Sequence, residues 1–231
     1  MSEKINLSFK PKEVTRRLLS VLTKRGQDVL TSRYGLGSKS AKFTLDAIGK
    51  KYGITRERVR QIENHSLTTV RKSKAYKDTE PAFTELKELI LDLGGLVTEK
   101  DLLKQLSKDI NTQNHFHFLL VIGEDFKREK EDEEFRRHWH VDKEFSDKIK
   151  LALRKLYSKL SDDELVFESD LINSFLEEVK DLNEKYKNDE VVKRWLSISH
   201  KIDKNPLGEW GRSSSSNVNA RGMRDYAFLV V

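Results

Sequence analysis

The stretch TLDAIGKKYGITRERVRQIENHSLTTVRKS, residues 44–73, decides the fold. It predicts two helices joined by a tight turn. Thr44 is an N-cap, and Leu45, Ala47 and Ile48 give the short first helix an apolar side, with Gly49 small enough to admit a second helix against it. Gly53 supplies the turn. Thr55 caps the second helix, along which Val59, Ile62, Leu67 and Val70 recur at roughly helical spacing as a buried stripe. Arg56, Glu57, Arg60, Gln61 and Asn64 lie together on the other side, and all of them can bond base edges or phosphates. A helix-turn-helix that reads the major groove requires this division of faces. The competing reading is a solvated surface helix. Against it stand the composition of the face, four of whose five residues are Arg, Gln or Asn, and the flanking Arg58, Arg71, Lys72 and Lys74.

The same residues carry a family resemblance. RYGL at Arg33–Leu36, followed by TLDAIGKKYGITRERVRQIE at Thr44–Glu63, closely resembles region 4 of the sigma-70 family of bacterial transcription initiation factors. That region binds the promoter element around position −35, and the likeness covers residues 11–74. The resemblance implies base contacts by Arg56, Glu57 and Gln61, and phosphate contacts by Arg58 and Arg60. Thr44, Thr55, His65, Arg71 and Lys72 complete the expected phosphate set. Where the family often has Lys this chain has His65, so that contact is expected to be weaker or pH-dependent. In the family, the helices before the motif also present a groove to the flap of the RNA polymerase beta subunit, which makes that flap a second expected partner beside double-stranded DNA. Core Leu and partner-facing Leu look alike in sequence, so the groove itself is not legible here.

Charge supports the placement. Up to Lys74 the chain carries 18 Lys and Arg against 6 Asp and Glu, and after it 26 against 32, so the basic part is the helix-turn-helix part. Phosphate binding by counterion release needs such a local excess. Cys is absent, which excludes disulfides, thiolate metal sites and Cys nucleophiles and fits a reducing cytoplasm. No apolar run is long enough to span a bilayer and no basic-apolar leader opens the chain, so a soluble, cytoplasmic, nucleoid-associated protein is expected. No HExxH, GxSxG, phosphate-loop or dinucleotide pattern occurs, and no enzymatic activity is expected.

The 231 residues predict tandem small helical domains, a mainly α fold. Residues 1–10 read as a loose arm. Pro11 opens a first helix marked by Val14, Leu18, Leu19, Val21 and Leu22, and Val29, Leu30 and Tyr34 mark a second that ends at Gly35. Residues 75–80 read as a linker. Residues 81–142 predict a winged-helix-like domain: three helices, then FKREKEDEEFRRHWHV (126–141) as a short β hairpin with Phe126, Phe135, Trp139 and Val141 as its apolar positions. Its third helix carries Gln113, Asn114, His115 and His117 but no Arg or Lys, and its wing mixes basic residues with Glu131–Glu134, so DNA contact and a purely structural or protein-binding role both stay open. Residues 143–212 predict helices at Phe145–Leu160, Glu168–Tyr186 and Asp189–Lys201, either another winged helix or a helical extension, with Asp162, Asp163 and Glu164 read as helix-start chemistry.

His115 with His117 and His138 with His140 have an i, i+2 spacing that suggests metal binding, but the first pair diverges on a helix and no further ligand completes a site, so no metal or cofactor is expected. Trp210 is a buried-aromatic candidate and Ser213–Ser216 a flexible linker. NPLGEWG (205–211), the linker and RGMRDYAFLV (221–230) together resemble the junction at which a region 4-like module is followed by a HARE-type helix-turn-helix; the alternative is a short terminal element packed on the third segment.

Two functions follow. The favoured one is a sequence-specific DNA-binding transcription regulator that reads a promoter-like site and acts with bacterial RNA polymerase in initiation. It is expected not to be a complete sigma factor, because only about 40 residues precede the motif. The alternative is an interaction protein of the transcription machinery whose basic module is only a DNA tether.

Overall fold

In the computed structural model, which describes residues 7–162 and 164–219, the first four helices begin and end where local chemistry sets them. Helix α1 (Pro11–Leu19) starts on Pro11, whose fixed φ suits a first helical position that needs no N–H bond. Thr23 caps α2 (Lys24–Tyr34), and Gly35 ends it at φ 67°, in the left-handed region that glycine enters at little cost. Thr44 and Thr55 cap α3 (Leu45–Tyr52) and α4 (Arg56–Arg71), their hydroxyls accepting the Ala47 and Arg58 N–H groups at 3.2 Å each. Gly49 is required by the turn: a Cβ there would lie 2.6 Å from the carbonyl of Ile54, whose own N–H donates to Gly49 O at 3.0 Å. The close neighbour is therefore turn backbone, not the flank of the second helix.

Val29, Ile48 and Val59 form the centre of this helix-turn-helix, with Leu45, Tyr52, Ile54 and Ile62 packed around them. On α4 the fully buried positions are Val59, Glu63, Ser66 and Val70, while Ile62 and Leu67 are only half-buried. The inward face is thus turned from the purely apolar stripe. Ser66 takes the place of a larger residue because its Oγ would sit 2.8 Å from a Cβ at Gly26 on α2, and Glu63 faces Arg33 at 3.4 Å.

The next elements are α5 (Lys74–Lys77), α6 (Glu80–Asp92), β1 (Leu96–Thr98), α7 (Glu99–Leu106), α8 (Ile110–Ile122), β2 (Lys127–Glu129) and β3 (His138–His140). The expected linker at residues 75–80 is largely helical, with Ser73 capping α5 and Arg17 reaching Thr79. The hairpin gains a third strand: β1 pairs with β3 and β3 with β2, all antiparallel, in the order β1-β3-β2. Helix, strand, helix, helix and two strands in this pairing is the connectivity of a winged helix. Its residues do not form one compact body, however. One unit comprises Met1–Glu88 with Lys100–Phe126, the other Leu89–Glu99 with Lys127–Val231.

In the first unit α8 packs on α1 and α2. Phe116 meets Phe9 edge-on at 6.2 Å, Phe118 meets Tyr34 at 5.3 Å, and Asn114 Nδ2 donates to Gly35 O and Ser40 O at 3.0 Å each. The reason is compositional: α8 is buried from Asn114 through Leu120, and a helix apolar all round cannot stay as an outer layer. The arm is tied down at its end as well, Ser8 bonding the Glu85 carboxylate at 2.7 Å through both N–H and hydroxyl.

The second unit continues with α9 (Lys143–Lys159), α10 (Glu168–Glu178), a 3-10 turn at Glu184–Tyr186, α11 (Asp189–Leu196), β4 (Ile202–Lys204), β5 (Trp210–Arg212) and α12 (Ser216–Asn219). β5 pairs with β4 on one side and with Val166 on the other, so the strand order repeats that of the first wing. The third segment is another winged-helix arrangement. The helix expected to run to Tyr186 stops at Glu178, and the one expected to reach Lys201 stops at Leu196. Trp195 anchors the core among Phe145, Phe175 and Tyr186, its indole N–H donating to Gly94 O at 3.0 Å. Trp210 is buried on β5 as expected. Asp162 lies at no helix start but pairs with Arg212, and Asp163 is outside the described residues. The Ser213–Ser216 segment is folded rather than free: Ser213 N–H bonds Lys201 O at 2.9 Å, and Ser215 is buried. The segment RGMRDYAFLV, with its HARE-type resemblance, lies outside the described residues.

Candidate nucleic-acid interface

The outward face of α4 is built by what lies beneath it. With Val59, Glu63, Ser66 and Val70 turned inward, the helical repeat places Arg56, Glu57, Arg60, Gln61 and Asn64 outward, and all five are exposed. Arg58 and His65 are exposed beside them. The face is partly organised by its own pairs. Arg60 forks onto Glu57 through Nε at 2.8 Å and Nη2 at 2.7 Å, which holds the Glu57 carboxyl below its ordinary range and raises the Arg60 guanidinium. Arg58 Nη1 donates to Gln61 Oε1 at 3.0 Å, leaving the Gln61 amide N–H groups pointing from a fixed carboxamide. Arg56 has no hydrogen bond or ion pair among the described residues, so its five donors are open to an incoming acceptor.

Glu57 does two things in this arrangement. Its carboxylate sets the orientation of one guanidinium, and it is the anionic acceptor on a face otherwise made of guanidinium and carboxamide groups, the kind of group that a cytosine amino group or an adenine N6 requires. Thr44 and Thr55 stand at the N-termini of α3 and α4 with hydroxyls committed as acceptors to Ala47 and Arg58 N–H; each hydroxyl still has its proton to donate to a phosphate oxygen at the positive end of a helix.

Two placements depart from expectation. Arg71 does not face outward: its Nε donates to Ile122 O at 3.1 Å and its Nη2 to Val121 O at 2.9 Å, so its guanidinium closes the C-terminal carbonyls of α8. Lys72, one residue on, is exposed. The other departure is a gain. A cleft of about 450 Å³ lies between the start of α2 and α4, lined by Thr23, Arg25, Arg58, Gln61 and His65. Arg25, 5.8 Å over the ring of Tyr52, joins the basic surface from outside the motif. The signal that would have found it is TKRG at residues 23–26, an N-cap followed by a basic first turn.

The first winged helix offers no comparable face. On α8, Asn114, His115 and His117 are buried and Gln113 is bonded to Ser107 O at 2.7 Å. On the wing, Arg128 forks onto Glu99 at 2.6 and 2.8 Å, and Arg136 donates to Ser197 O at 2.7 Å. These contacts commit both guanidinium groups to partners within the chain. His138 and His140 share one side of β3, and burial pushes both below the ordinary imidazole value; His138 Nδ1 lies 2.7 Å from Arg136 O. Among the described residues no three His, Asp or Glu side chains group as a metal site, and no helix is long and apolar enough to cross a membrane.

Comparison with known proteins places the same segment. The family model for Sigma-70, region 4 matches residues 18–72. The RNA polymerase sigma factor SigA of Clostridium acetobutylicum and a protein of the same name from Bacillus sp. are each 43% identical over 70 residues, 29% of this chain. That stretch spans only 18% of the length of either relative. No solved structure matches.

Proposed function

We propose, with residues 18–72 forming a sigma-70 region 4 module, that this chain is a sequence-specific DNA-binding transcription regulator acting with bacterial RNA polymerase at promoter-like sites. α4 enters the major groove; Arg56, Glu57 and Gln61 read base edges, and Thr44, Thr55, Arg58, Arg60, His65 and Lys72 hold phosphates. Arg25 belongs with the phosphate set. The observation that carries the reading is the outward face of α4, where an unpaired Arg56 stands beside carboxylate, guanidinium and carboxamide groups already held in pairs. Pre-arranged side chains lose less conformational freedom on binding than free ones, which favours specific recognition over a loosely attracted surface.

The polymerase part of the proposal has its own constraint. Val14 and Leu18 on α1, Leu22 in the turn after it and Tyr34 on α2 are buried in the first unit, where α8 packs on both helices. This favours contact with polymerase through exposed residues of the module.

Selection of DNA by the full chain from a random pool tests base reading. The expected result is one enriched motif, and Arg56→Ala or Gln61→Ala should each cost about 1–3 kcal/mol on it with little loss on random duplex. Equal loss on both kinds of DNA rejects base reading. In the tether alternative, polymerase capture by the chain survives the Arg56 and Gln61 changes while no motif is enriched.

A further inference from the structure

A second cavity in the first unit, of about 440 Å³, lies away from the α4 face. It is bordered by α1, by the Leu36–Ser38 loop after α2 and by the start of α8, and the side chains around it include Lys12, Thr15, Arg16, Asn111 and His115. Its volume falls in the range of small-molecule sites. Two of its buried polar atoms are unsatisfied: Thr15 Oγ1, on a residue 1% exposed, and His115 Nδ1, on a residue 7% exposed, have no hydrogen-bond partner among the described residues. Leaving such atoms unpaired costs a fold free energy. They line the same cavity.

The charges around it are cationic in balance. Arg16 has no acidic partner among the described residues, and Lys12 lies 3.5 Å from Asp109, the N-cap of α8. Burial, with Lys12 close by, lowers His115 below the ordinary imidazole value, and its Nδ1 is placed to exchange a hydrogen bond with a ligand. Leu19 and Leu36 supply an apolar wall.

We propose that this cavity binds a small phosphorylated metabolite, its phosphoryl group between Lys12 and Arg16 and its uncharged part hydrogen-bonded to Thr15 and His115 against Leu19 and Leu36. Bound there, the ligand touches α1, the loop before the helix-turn-helix and α8 together, and so tightens the packing of α8 on the DNA-binding module. The site is independent of the α4 face.

The full chain is titrated with inorganic phosphate at constant ionic strength, with calorimetry for affinity and the His115 ring resonances for location. The expected result is saturable binding of one phosphate that moves the His115 signals. It should weaken about tenfold or more in a Lys12→Gln, Arg16→Gln variant and be unchanged in Arg56→Ala. Thr15→Val separates ligand binding from packing: it should leave the thermal midpoint of the phosphate-free protein the same or higher while reducing the phosphate-induced rise. A lowered midpoint without phosphate together with an intact rise assigns the hydroxyl to the fold and overturns the proposal, as does binding that ignores the Lys12 and Arg16 changes or moves His65 instead of His115. Succinate run in parallel is expected to bind more weakly; tighter binding of the dicarboxylate overturns the assignment to a phosphoryl group.

Discussion

Asn114→Ala is expected to loosen the DNA-binding module from a position on α8, five elements beyond α4 in the chain. The Asn114 amide is 4% exposed, and its Nδ2 donates to the carbonyls of Gly35 and Ser40, both 3.0 Å away, at the two ends of the loop that leads into α3. Each bond contributes about 1 kcal/mol, and the buried Gly35 carbonyl and part-buried Ser40 carbonyl left without this donor add a desolvation penalty, so the substitution should cost about 2–4 kcal/mol. At 1.36 kcal/mol per tenfold, that is a drop of roughly 30- to 900-fold in amide hydrogen-exchange protection for the openings that expose this contact. The expected pattern is faster exchange in α8, α1 and the 35–42 loop, with little change in α9 to α11. Unaltered protection in α8 and that loop, or a loss confined to the second unit, would refute the argument that α8 belongs structurally to the helix-turn-helix.

Arg71→Ala should destabilise the first unit by about 1.5–3 kcal/mol in urea unfolding, because it removes charge-assisted bonds to two α8 carbonyls, and should leave the salt dependence of DNA binding unchanged. Lys72→Ala should do the opposite, keeping stability and lowering the slope of log affinity against log salt by about one. Gly94→Ala forces a side chain onto a residue at φ 110° and sets its Cβ 2.8 Å from Val191 Cγ1, so a loss of about 2 kcal/mol or more is expected. Tryptophan fluorescence reads it directly, since Trp139, Trp195 and Trp210 all lie in the second unit. Asp109 is lowered to about 2 from the ordinary 3.8, first by the Thr112 hydroxyl and then by the Thr112 N–H. Its carboxylate is therefore favoured by folding, a contribution complete above about pH 4 and lost as the pH falls towards 2. Asp109→Asn keeps a cap acceptor and should flatten that acid limb of the stability curve, measured by circular dichroism against pH.

The motif was legible because its information is local. Thr44 and Thr55 cap their own helices, Gly53 turns in its own φ, and the alternation of Val59 and Val70 with Arg56, Arg60, Gln61 and Asn64 follows from the helical repeat alone. The winged-helix order was legible in part for the same reason, through the run ending in HWHV. β1 escaped notice: three residues, all buried, carry no alternation to mark them as a strand. Arg71 was misplaced because nothing in a stretch of basic residues distinguishes the one that meets carbonyl oxygens 50 residues ahead from its neighbour in water.

What the order of residues determined by itself was the second helix of the helix-turn-helix, its cap and the sign of its charge, since each depends on contacts within a few turns. Tertiary structure alone decided that α8 packs on α1 and α2, that Asn114 and Arg71 serve the fold, and that Thr15 and His115 meet around one cavity. Burying an all-round apolar helix demands partners wherever they are in the chain, and the desolvation of its few polar atoms then selects which distant donors and acceptors it must meet.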